Sequence, residues 1–579
     1  MFNIKKIKDM FNFTTNQKLT IKIGIDIIIH SLPYAIFYQY VLSKVIDKYI
    51  PDKNLYGVFI LSSILIFIIT VFFVFDKKHE TQRKCCYYDN DKQIKEKIFS
   101  AIQHASISDL DRINVGELFQ ITTSQSFQAS QMFVWNGLGI FAVRLKSIIV
   151  ISIIMMFINW KISLVVIGIF ILSYIILLPF YNKNMKAYKK LQSTIINLQG
   201  KINEYIDSFQ TTKTLRLEEI NINEIKIMLE KSKKELLKSS KILGLHTALF
   251  SLLTFFSTIV TLIIGGNQII LGIGVGSTII LIVDYINDIN NHMKSLLEHV
   301  HGIINKYNCF INILTIVDIN KEIDEGTLEL DNIKSIEFRN IKLSYDGINT
   351  ILDNINLKID KPITVAIVGK SGAGKTSFIN LIPRFYNLTE GQILINGIDY
   401  TQYKLSELRK NISYVFQNPV ILNMSIKDNL IYGNNNVKIE DVIRVCKSIG
   451  LNEKIETLDD GYETIINAET DILSYGEKQL LSFARAILKD GSIVILDEVT
   501  SNLDLEFEQN VMEANKVILK NKISFVIAHR INTIKDSDLI VFIDNKKIVE
   551  MGTHEELMKK HGYYYNLYMS KEKSVALIN

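Results

Sequence analysis

A series of long apolar segments in the first half of the chain restricts its possible folds more than any other feature. A helix of about 20 apolar residues is long enough to cross the hydrocarbon core of a bilayer. Six segments approach this length: residues 19–45, 55–75, 137–159, 162–181, 245–264 and 269–290. A continuous helix satisfies its own backbone hydrogen bonds, as lipid requires. The sequence therefore predicts an α-helical membrane domain with six transmembrane helices over residues 1–317.

The connections between these segments alternate between short and long. Short turns join the segments in pairs, around residues 47–54, 159–161 and 265–267. The longer connections carry most of the positive charge, in residues 77–84, 183–190 and 231–241. Because positive residues near helix ends favour the cytoplasmic side, we expect the N-terminus and both long connections to be cytoplasmic in a multi-pass protein of the cell membrane. Apolar residues recur at helical spacing across 184–240, which predicts long cytoplasmic helical extensions.

The composition argues against two classes of site. Apolar residues make up 48% of the 579 residues, and the formal net charge of +5 is not concentrated into a basic groove. Nucleic-acid binding is therefore not expected. The four cysteines form no CxxC pair and no Cys/His ligand spacing: they are Cys85, Cys86, Cys309 and Cys446. A structural zinc site is therefore not expected either.

The second half of the chain contains a phosphate-binding motif. After a polar linker, residues 318–334, short β-rich runs alternate with helical patterns over 335–579, which predicts an α/β P-loop NTPase domain. A buried strand predicted at 363–368 leads into a match to GxxxxGK[ST], and the predicted ATP-binding residues here are Gly369, Lys370, Ser371, Gly372, Ala373, Gly374, Lys375, Thr376 and Ser377. The glycines allow backbone N–H groups to turn toward phosphates, while the following helix contributes the positive end of its dipole. Lys375 is expected to reach the β- and γ-phosphates, and Thr376 to ligate Mg²⁺.

A second apolar strand ends in two carboxylates. Residues 493–496 are followed directly by Asp497 and Glu498. A carboxylate at the end of a strand beside a phosphate loop can hold the magnesium shell. A second carboxylate next to it can polarise the attacking water. We therefore expect Asp497 to act as a metal ligand and Glu498 as the catalytic base of an ATPase.

These elements, taken in order, resemble the ATP-binding cassette of ABC transporters. Tyr345 resembles the aromatic residue that stacks on adenine, and Gln417 resembles the glutamine that contacts magnesium. His529 resembles the catalytic histidine that contacts the γ-phosphate. The signature of the family is matched in variant form by Leu473, Ser474, Tyr475, Gly476 and Glu477, and its D-loop by Ser501, Asn502, Leu503 and Asp504. The resemblance implies helical and β subdomains within residues 335–579, with ATP and Mg²⁺ as ligands.

The first half is similar to the membrane domain of the exporters in this family. The segment Gly116-Glu117-Leu118 resembles the first inner connection, and the resemblance implies two docking helices, near 106–112 and 207–213. One chain supplies one cassette, so the resemblance implies a two-chain assembly in which ATP is bound between paired cassettes. Ser474 and Gly476 would then contact the γ-phosphate of the partner's ATP. Both a homodimer and a heterodimer are compatible with the sequence.

The chain departs from the family pattern in two places. The signature usually reads LSGGQ, and Tyr475 and Glu477 replace a glycine and a glutamine, so Glu477 is expected to add negative charge near a phosphate. Many exporters carry a Gly-Glu-Arg-Gly segment before the signature, where this chain has residues 467–470, Asn-Ala-Glu-Thr. That second difference puts the usual contact with the docking helices in doubt.

The expected function is ATP-driven export of a lipid, a peptide or an amphipathic small molecule by alternating access. An importer and an ATP-gated channel on the same scaffold are the alternatives, and Glu498 argues against a channel because a channel needs no fast hydrolysis. A soluble cassette protein would require the six apolar segments to pack in water. Four ionisable residues near membrane depth either face a cavity or lie at the membrane edge: they are Asp26, His30, Asp284 and Asp288.

Overall fold

The computed structural model describes residues 41–132, 138–273, 275–434, 436–467, 472–497, 505–528 and 534–576. The chain forms two compact units, which are described separately. The helical unit comprises residues 1–103 and 114–319, and the α/β unit comprises residues 104–113 and 320–579. Most of the first apolar segment, with Asp26 and His30, lies outside the described residues.

The described part of the helical unit consists of long helices joined by short turns. A π-helical turn, Val45–Tyr49, precedes the first long helix, and a second one, Ile121–Gln125, lies between two short helices. The α-helices are Leu55–His104, Val115–Gln120, Ser126–Met132, Leu138–Ile158, Trp160–Asp207, Phe209–Leu215, Glu218–Ile270 and Gly276–Val317. The prediction of long helical extensions is confirmed, because the helices Leu55–His104, Trp160–Asp207 and Glu218–Ile270 each continue well beyond the apolar segment they contain. Both long connections also contain breaks and short helices between these extensions. Of the described helices, three contain a stretch long and apolar enough to cross a membrane: Leu55–His104, Trp160–Leu177 and Glu218–Ile270.

Apolar side chains from four of these helices form the core of the helical unit. Met155, Val166, Phe250 and Ile286 are almost completely buried in one cluster. Such burial within a helix bundle requires close packing of side chains rather than contact with lipid alone. The cluster fixes the relative positions of the helices that contain residues 155, 166, 250 and 286.

The bundle also contains paired polar groups. Asn159 caps the helix Trp160–Asp207 through Ile162, and its amide donates to the Gln268 side chain at 2.7 Å. Arg144 and His292, on two different helices, lie 3.0 Å apart between Nη1 and Nδ1. Both side chains are half-buried. Polar groups in a membrane bundle satisfy one another or face a cavity, so these contacts link helices that the sequence alone could not pair.

The turn predicted at residues 265–267 is wrong. The helix Glu218–Ile270 continues through this segment, and the next helix begins at Gly276. Of the two glycines in this segment, Gly265 lies at a close helix contact instead of in a turn. A Cβ atom on Gly265 would lie 2.7 Å from Cγ1 of Ile279, whereas nothing lies within 4 Å of a Cβ on Gly266. Gly265 therefore allows the helix that begins at Gly276 to approach closely, as small residues do between membrane helices.

The α/β unit contains three sheets with twelve strands among its described residues. The strands are β1 Ile336–Ser344, β2 Thr350–Ile359, β3 Thr364–Val368, β4 Glu390–Ile395, β5 Ile398–Asp399, β6 Ile412–Val415, β7 Met424–Ser425, β8 Ile465–Ile466, β9 Ile493–Asp497, β10 Ile523–Ile527, β11 Leu539–Asp544 and β12 Lys547–Gly552. A six-stranded sheet has the order β12-β11-β3-β10-β9-β6, and it is parallel except at β12. An antiparallel sheet has the order β2-β1-β4-β5, and β7 pairs with β8.

Helices and the antiparallel sheet together cover the six-stranded sheet, so its central strands are buried on both faces. All five residues of β9 and of β10 are buried. This pattern explains the continuous apolar runs in the sequence, as expected for parallel strands. The described helices are Ile107–Leu110, Lys375–Ile379, Leu405–Lys410, Ile426–Ile431, Ile439–Ser448, Asn452–Glu456, Tyr475–Lys489, Leu505–Leu519, His554–Lys560 and Tyr563–Ala576.

Two separate cores lie on opposite sides of this sheet. Phe338 of β1, Phe378 and Phe525 of β10 contact one another with ring centroids 4.8 to 6.3 Å apart, and they join the antiparallel sheet to the six-stranded sheet. Leu480 and Phe483 of the helix Tyr475–Lys489 belong to the second core. The helix is thereby held against the six-stranded sheet by apolar packing.

The segment predicted as a polar linker is attached to the α/β unit from residue 320 onward. Both carboxylate oxygens of Glu322 accept hydrogen bonds from Arg409, at 2.7 and 2.8 Å. Gly326 passes so close to Tyr403 that an added Cβ would lie 1.9 Å from its carbonyl oxygen. A two-point Arg–carboxylate pair fixes geometry as well as charge. Residues 320–330 therefore form part of the α/β unit rather than a free connection.

The close approach at Gly265 generates a prediction. Gly265→Val should lower the stability of the lipid-embedded protein by about 1–3 kcal/mol, the usual cost of overpacking. Gly266→Val introduces the same side chain where the structure leaves space, and should cost much less. Unfolding by detergent titration, followed by circular dichroism, measures both variants. Equal destabilisation by the two substitutions would contradict the packing role of Gly265.

Candidate nucleotide-binding site

The loop after β3 has the backbone that a phosphate cradle requires. Gly372 and Gly374 have φ values of +77° and +95°, which favour glycine. A Cβ on Gly374 would lie 2.9 Å from Leu352, and one on Gly369 would lie 2.2 Å from the carbonyl oxygen of Ile543. A side chain at Gly369 or Gly374 would therefore collide with neighbouring atoms and distort the loop. Its backbone N–H groups can surround an anion, as in other glycine-rich phosphate loops.

Lys375 lies at the end of this loop and is mostly buried. Its Nζ donates to the carbonyl oxygens of Gly369 and Lys370, at 3.0 and 2.9 Å, so the ammonium group is folded over the cradle. Thr376, the next residue, is exposed. The helix that starts here, Lys375–Ile379, has only five residues. The dipole expected from the sequence is thus that of a short helix, and the main positive contribution comes from Lys375 and the backbone N–H groups.

Four neighbouring parallel strands bring the other predicted residues to the same edge of the sheet. The strands β3, β10, β9 and β6 are adjacent, and their carboxyl ends share one edge. Asp497 is the buried last residue of β9. Gln417 is exposed and follows β6. Ligands of open α/β sheets bind at this edge.

Some of the predicted residues lie outside the described part of the chain. These are Glu498, Ser501, Asn502, Leu503, Asp504 and His529. In sequence, Glu498 directly follows β9 and His529 comes shortly after β10. The described strands thus lead into the positions predicted for the catalytic base and the γ-phosphate contact.

The oxygen ligands predicted for Mg²⁺ fit a nucleotide-bound ion. Mg²⁺ in nucleotide enzymes uses one or two protein groups, several waters and the phosphates themselves. Thr376, Gln417 and Asp497 offer hydroxyl, amide and carboxylate oxygens, which suits that pattern. Among the described residues, no group of three or more His, Cys, Asp or Glu side chains could hold a metal ion by itself.

Two tyrosine rings in contact, tilted by 52°, mark the end of the site predicted to hold adenine. The rings of Tyr345 and Tyr386 have centroids 4.6 Å apart, and Tyr345 Oη donates to Ser377 Oγ at 2.9 Å. Burial raises the pKa of the Tyr345 phenol, so the ring stays neutral near physiological pH. A cavity of about 480 Å³ is lined here by Arg112, Tyr345, Asp346, Asn349 and Ile351. Tyr345 is therefore linked to the phosphate loop and borders space for a ligand.

A segment from the first half of the chain completes this end of the site. We call residues 104–113, which belong to the α/β unit, the docking segment. Arg112 Nη2 donates to the carbonyl oxygen of Tyr345 at 2.7 Å, and Tyr386 Oη donates to Asp111 Oδ2 at 2.5 Å. Burial and the bond to Asp111 raise the pKa of Tyr386, so its phenol remains a donor.

The docking segment is also joined to the chain around residue 320. Ser106 N donates to Asn320 O and Glu322 N to His104 O, both at 2.9 Å. The helix predicted near 106–112 spans Ile107–Leu110. The second helix predicted by resemblance, near 207–213, spans Phe209–Leu215 and belongs to the helical unit.

Sequence reasoning did not assign Asp111, Arg112 or Tyr386 to the nucleotide site. Their partners are far away in sequence, and no local spacing pairs them. Tyr386 did carry a usable signal, because it follows the phosphate-loop helix by only a few positions. The chain can fold back after this helix, so that a tyrosine so close in sequence reaches the phosphate loop side of the site.

The variant signature forms a capped helix start. Ser474 Oγ accepts from Glu477 N at 3.3 Å, and Glu477 Oε2 accepts from Ser474 N at 2.7 Å. This reciprocal arrangement is a capping box, and the spacing S-x-x-E is its sequence signal. The negative charge expected near a phosphate is thus directed at the N-terminus of the helix Tyr475–Lys489. Ser474 itself is exposed, and its hydroxyl accepts rather than donates within the box.

Comparison with known families matches both halves of the chain. Residues 27–287 match the ABC transporter transmembrane region, and residues 352–501 match the ABC transporter family of ATP-binding domains. The two matched ranges together cover most of the apolar segments, the phosphate loop and the signature.

Individual proteins agree with these family matches. An ATP-dependent lipid A-core flippase of Desulfotalea psychrophila is 30% identical over 91% of this chain and 93% of its own length. A putative multidrug export ATP-binding/permease protein of Bacillus subtilis is 29% identical over 82% of each chain. The structure of a bacterial Atm1-family ABC exporter with ATP bound has the same fold, with a TM-score of 0.81 at 21% identity over 96% of this chain and 98% of that chain.

The contacts of the docking segment generate a prediction. Tyr386→Phe removes the donor to Asp111, so amide hydrogen exchange in residues 104–113 should become about 2- to 10-fold faster, as expected for the loss of one hydrogen bond. Tyr462→Phe is the matched control, because it removes the bond from Tyr462 to Asn452 elsewhere in the same unit. Mass spectrometry of exchanged peptides measures both. Unchanged exchange at 104–113 in Tyr386→Phe would show that this bond does not hold the segment.

Proposed function

Because the chain belongs to the ABC transporter family, we propose that it is one half of an ATP-hydrolysing exporter that works as a two-chain assembly. The observation that carries the proposal is the edge of the six-stranded sheet, where the phosphate loop after β3 and Asp497 at the end of β9 meet in a chain that also has apolar helices. The family of ATP-binding domains establishes the class of the cassette. Hydrolysis, Mg²⁺ dependence and pairing are proposed from the residues of that edge.

The proposed ATPase reaction assigns a separate task to each residue. Lys375 exchanges its two carbonyl acceptors for β- and γ-phosphate oxygens, and the loop N–H groups hold the remaining phosphate charge. Thr376, Gln417 and Asp497 hold Mg²⁺, which when bound stabilises charge on the phosphate oxygens. Glu498 orients the attacking water and accepts its proton, and His529 donates to the γ-phosphate. Tyr345 supports the adenine ring by stacking.

The proposed assembly follows from the position of Ser474. Ser474 is the exposed N-cap of the helix Tyr475–Lys489, whereas the phosphate loop lies at the carboxyl edge of the sheet. A cassette of this family closes its ATP site with the signature of a second cassette. Two ATP molecules would then be enclosed between paired chains, and Ser474 and Gly476 would contact the partner's γ-phosphate. A homodimer and a heterodimer can both form this arrangement.

The variant signature is compatible with activity. The capping box directs the Glu477 carboxylate to the Ser474 backbone N–H, at 2.7 Å, and Lys454 Nζ lies 3.9 Å from its other oxygen. Both contacts reduce the negative charge that Glu477 presents to a phosphate. The Ser474 hydroxyl proton is not used within the box and can be donated to the γ-phosphate. We therefore propose that Tyr475 and Glu477 preserve ATP hydrolysis.

The proposed orientation places the N-terminus and the cassette in the cytoplasm, where ATP is available. The positive residues of the long connections favour that side. Cassette closure would act on the membrane helices through the docking segment, which already contacts the adenine end of the site through Arg112 and Asp111.

The proposed cargo is an amphipathic molecule, with lipids, peptides and small molecules as the candidates. The relatives' names assign lipid A-core to one of those proteins and, putatively, export of multiple drugs to the other. In this chain, Arg144, His292 and Asp288 place half-buried ionisable side chains in the helical unit. Groups of this kind at membrane depth mark substrate paths in other proteins.

Glu498→Gln tests the proposed reaction. The variant should bind ATP as the wild type does, because the phosphate cradle is unchanged, but its turnover should fall at least about 100-fold, as for the loss of a general base. Phosphate release by the purified protein in nanodiscs measures turnover, and a fluorescent ATP analogue measures binding. Lys375→Ala is the contrasting variant and should lose binding as well. Turnover at the wild-type rate in Glu498→Gln would refute the assignment.

Substrate-stimulated turnover tests the proposed cargo and direction. Lipid, peptide and amphipathic-drug candidates are added to the reconstituted protein, and the true class should raise the ATPase rate of the wild type but not of Glu498→Gln. ATP-dependent movement of that compound against its gradient in inside-out vesicles supports an exporter. Movement in the opposite direction would identify an importer, and passive flux that stops at equilibrium would identify a channel.

A further inference from the structure

We propose that Tyr475 is a positioning residue that couples the two ATP sites of the assembly. It joins Gln417, which acts on the cassette's own ATP, to Ser474, which acts on the partner's ATP. The inference rests on the proposed pairing of cassettes. It concerns a residue that departs from the usual signature, in which a glycine at this position has no side chain to make such a link.

The link is a single hydrogen bond. Tyr475 Oη donates to the carbonyl oxygen of Gln417, with 3.0 Å between the two oxygens. Tyr475 directly follows Ser474 and is the first residue of the helix Tyr475–Lys489. A displacement of the Gln417 backbone therefore reaches the backbone of Ser474 through one phenol ring. A tyrosine side chain transmits position well because it has only two rotatable bonds before a rigid ring.

Two other side chains of the same helix bind the same loop. Arg485 Nη1 donates to the carbonyl oxygen of Val420 at 3.0 Å, and Gln479 Nε2 lies 3.5 Å from the carbonyl oxygen of Phe416. Arg485 also donates from Nε to Asn429 O at 2.8 Å. Together with Tyr475, these side chains attach the helix Tyr475–Lys489 to the loop 416–420 at three points.

The attachments differ in position and exposure. Gln479 is completely buried and Arg485 is half-buried, whereas 41% of Tyr475 is exposed at the signature itself. Gln479 and Arg485 therefore hold the loop to the body of the helix, and of these three attachments only that of Tyr475 is at the tip proposed to face a second cassette. Removing the Tyr475 hydroxyl should leave the fold intact, because the buried attachments remain.

The consequence is a coupling between two binding events. When Mg²⁺-ATP draws Gln417 toward the phosphates of its own site, the bond to Tyr475 carries the signature in the same movement. The Ser474 contact to the partner's ATP is then made or broken when the cassette binds or releases its own ATP. Two ATP sites that shift the same structural element bind ATP cooperatively. Each site then changes the affinity of the other by the same factor.

Equilibrium binding of a non-hydrolysable ATP analogue tests this inference. In the purified, lipid-embedded assembly, the wild type should bind the analogue cooperatively. Tyr475→Phe should lower the ratio between second-site and first-site affinity by about 2- to 10-fold, the range for one neutral hydrogen bond, and the Hill coefficient should move toward 1. First-site affinity should remain within about twofold, because Tyr475 does not contact the cassette's own nucleotide.

Tyr432→Phe is the matched control. Tyr432 is an exposed tyrosine of the same unit that makes no side-chain hydrogen bond to another described residue, so its substitution should leave the cooperativity of the wild type. The wild type, Tyr475→Phe and Tyr432→Phe should unfold at the same temperature. Cooperative binding that is equal in wild type and Tyr475→Phe would overturn the inference while leaving the proposed function intact. Absence of analogue binding in the wild type would instead contradict the proposed function.

Discussion

The nucleotide site depends on the position of β10 between β3 and β9. The parallel pairing of these strands brings the phosphate loop and Asp497, which are far apart in sequence, to one edge of the sheet. The pairing is stabilised by complete burial of β9 and β10 between two apolar cores. Since both faces are covered, a one-residue shift in register would exchange the side chains that fill the two cores, and it would move Asp497 relative to the phosphate loop. The strand pairing that fills the two cores therefore also sets the geometry of the candidate nucleotide site.

Around this edge, side-chain hydrogen bonds connect segments that are far apart in sequence. Arg112 and Asp111 of the docking segment contact the tyrosine pair at the adenine end. Tyr345 contacts the phosphate-loop helix through Ser377, and Tyr475 joins the signature to the loop of Gln417. Each link is weak by itself, since one neutral hydrogen bond contributes about 0.5–1.5 kcal/mol. Such links bias an equilibrium between conformations without locking either one.

The local motifs were predictable, whereas the contacts between distant segments were not. The glycine spacing of 369–376 implies one backbone geometry, and the apolar run before it implies a buried strand, because both depend on neighbouring residues only. The turn predicted at 265–267 failed since two glycines also suit close helix packing, and the choice depends on Ile279 of the next helix. Glu477 was interpreted as a charge near phosphate although its spacing from Ser474 signals a capping box. Arg112 and Tyr345 could not be paired, because nothing local relates them.

The α/β unit is formed by two separate stretches of the chain, because the docking segment belongs to it. Residues 104–113 leave the ribosome long before residues 320–579, with which they form one compact unit. Their hydrogen-bonding groups for Asn320, Tyr345 and Tyr386 therefore remain without native partners while the remaining membrane helices are made. Contacts between such distant parts of a chain form late and slow the folding of the unit that needs them. Residues 114–319 must therefore be synthesised before the α/β unit can reach its native state.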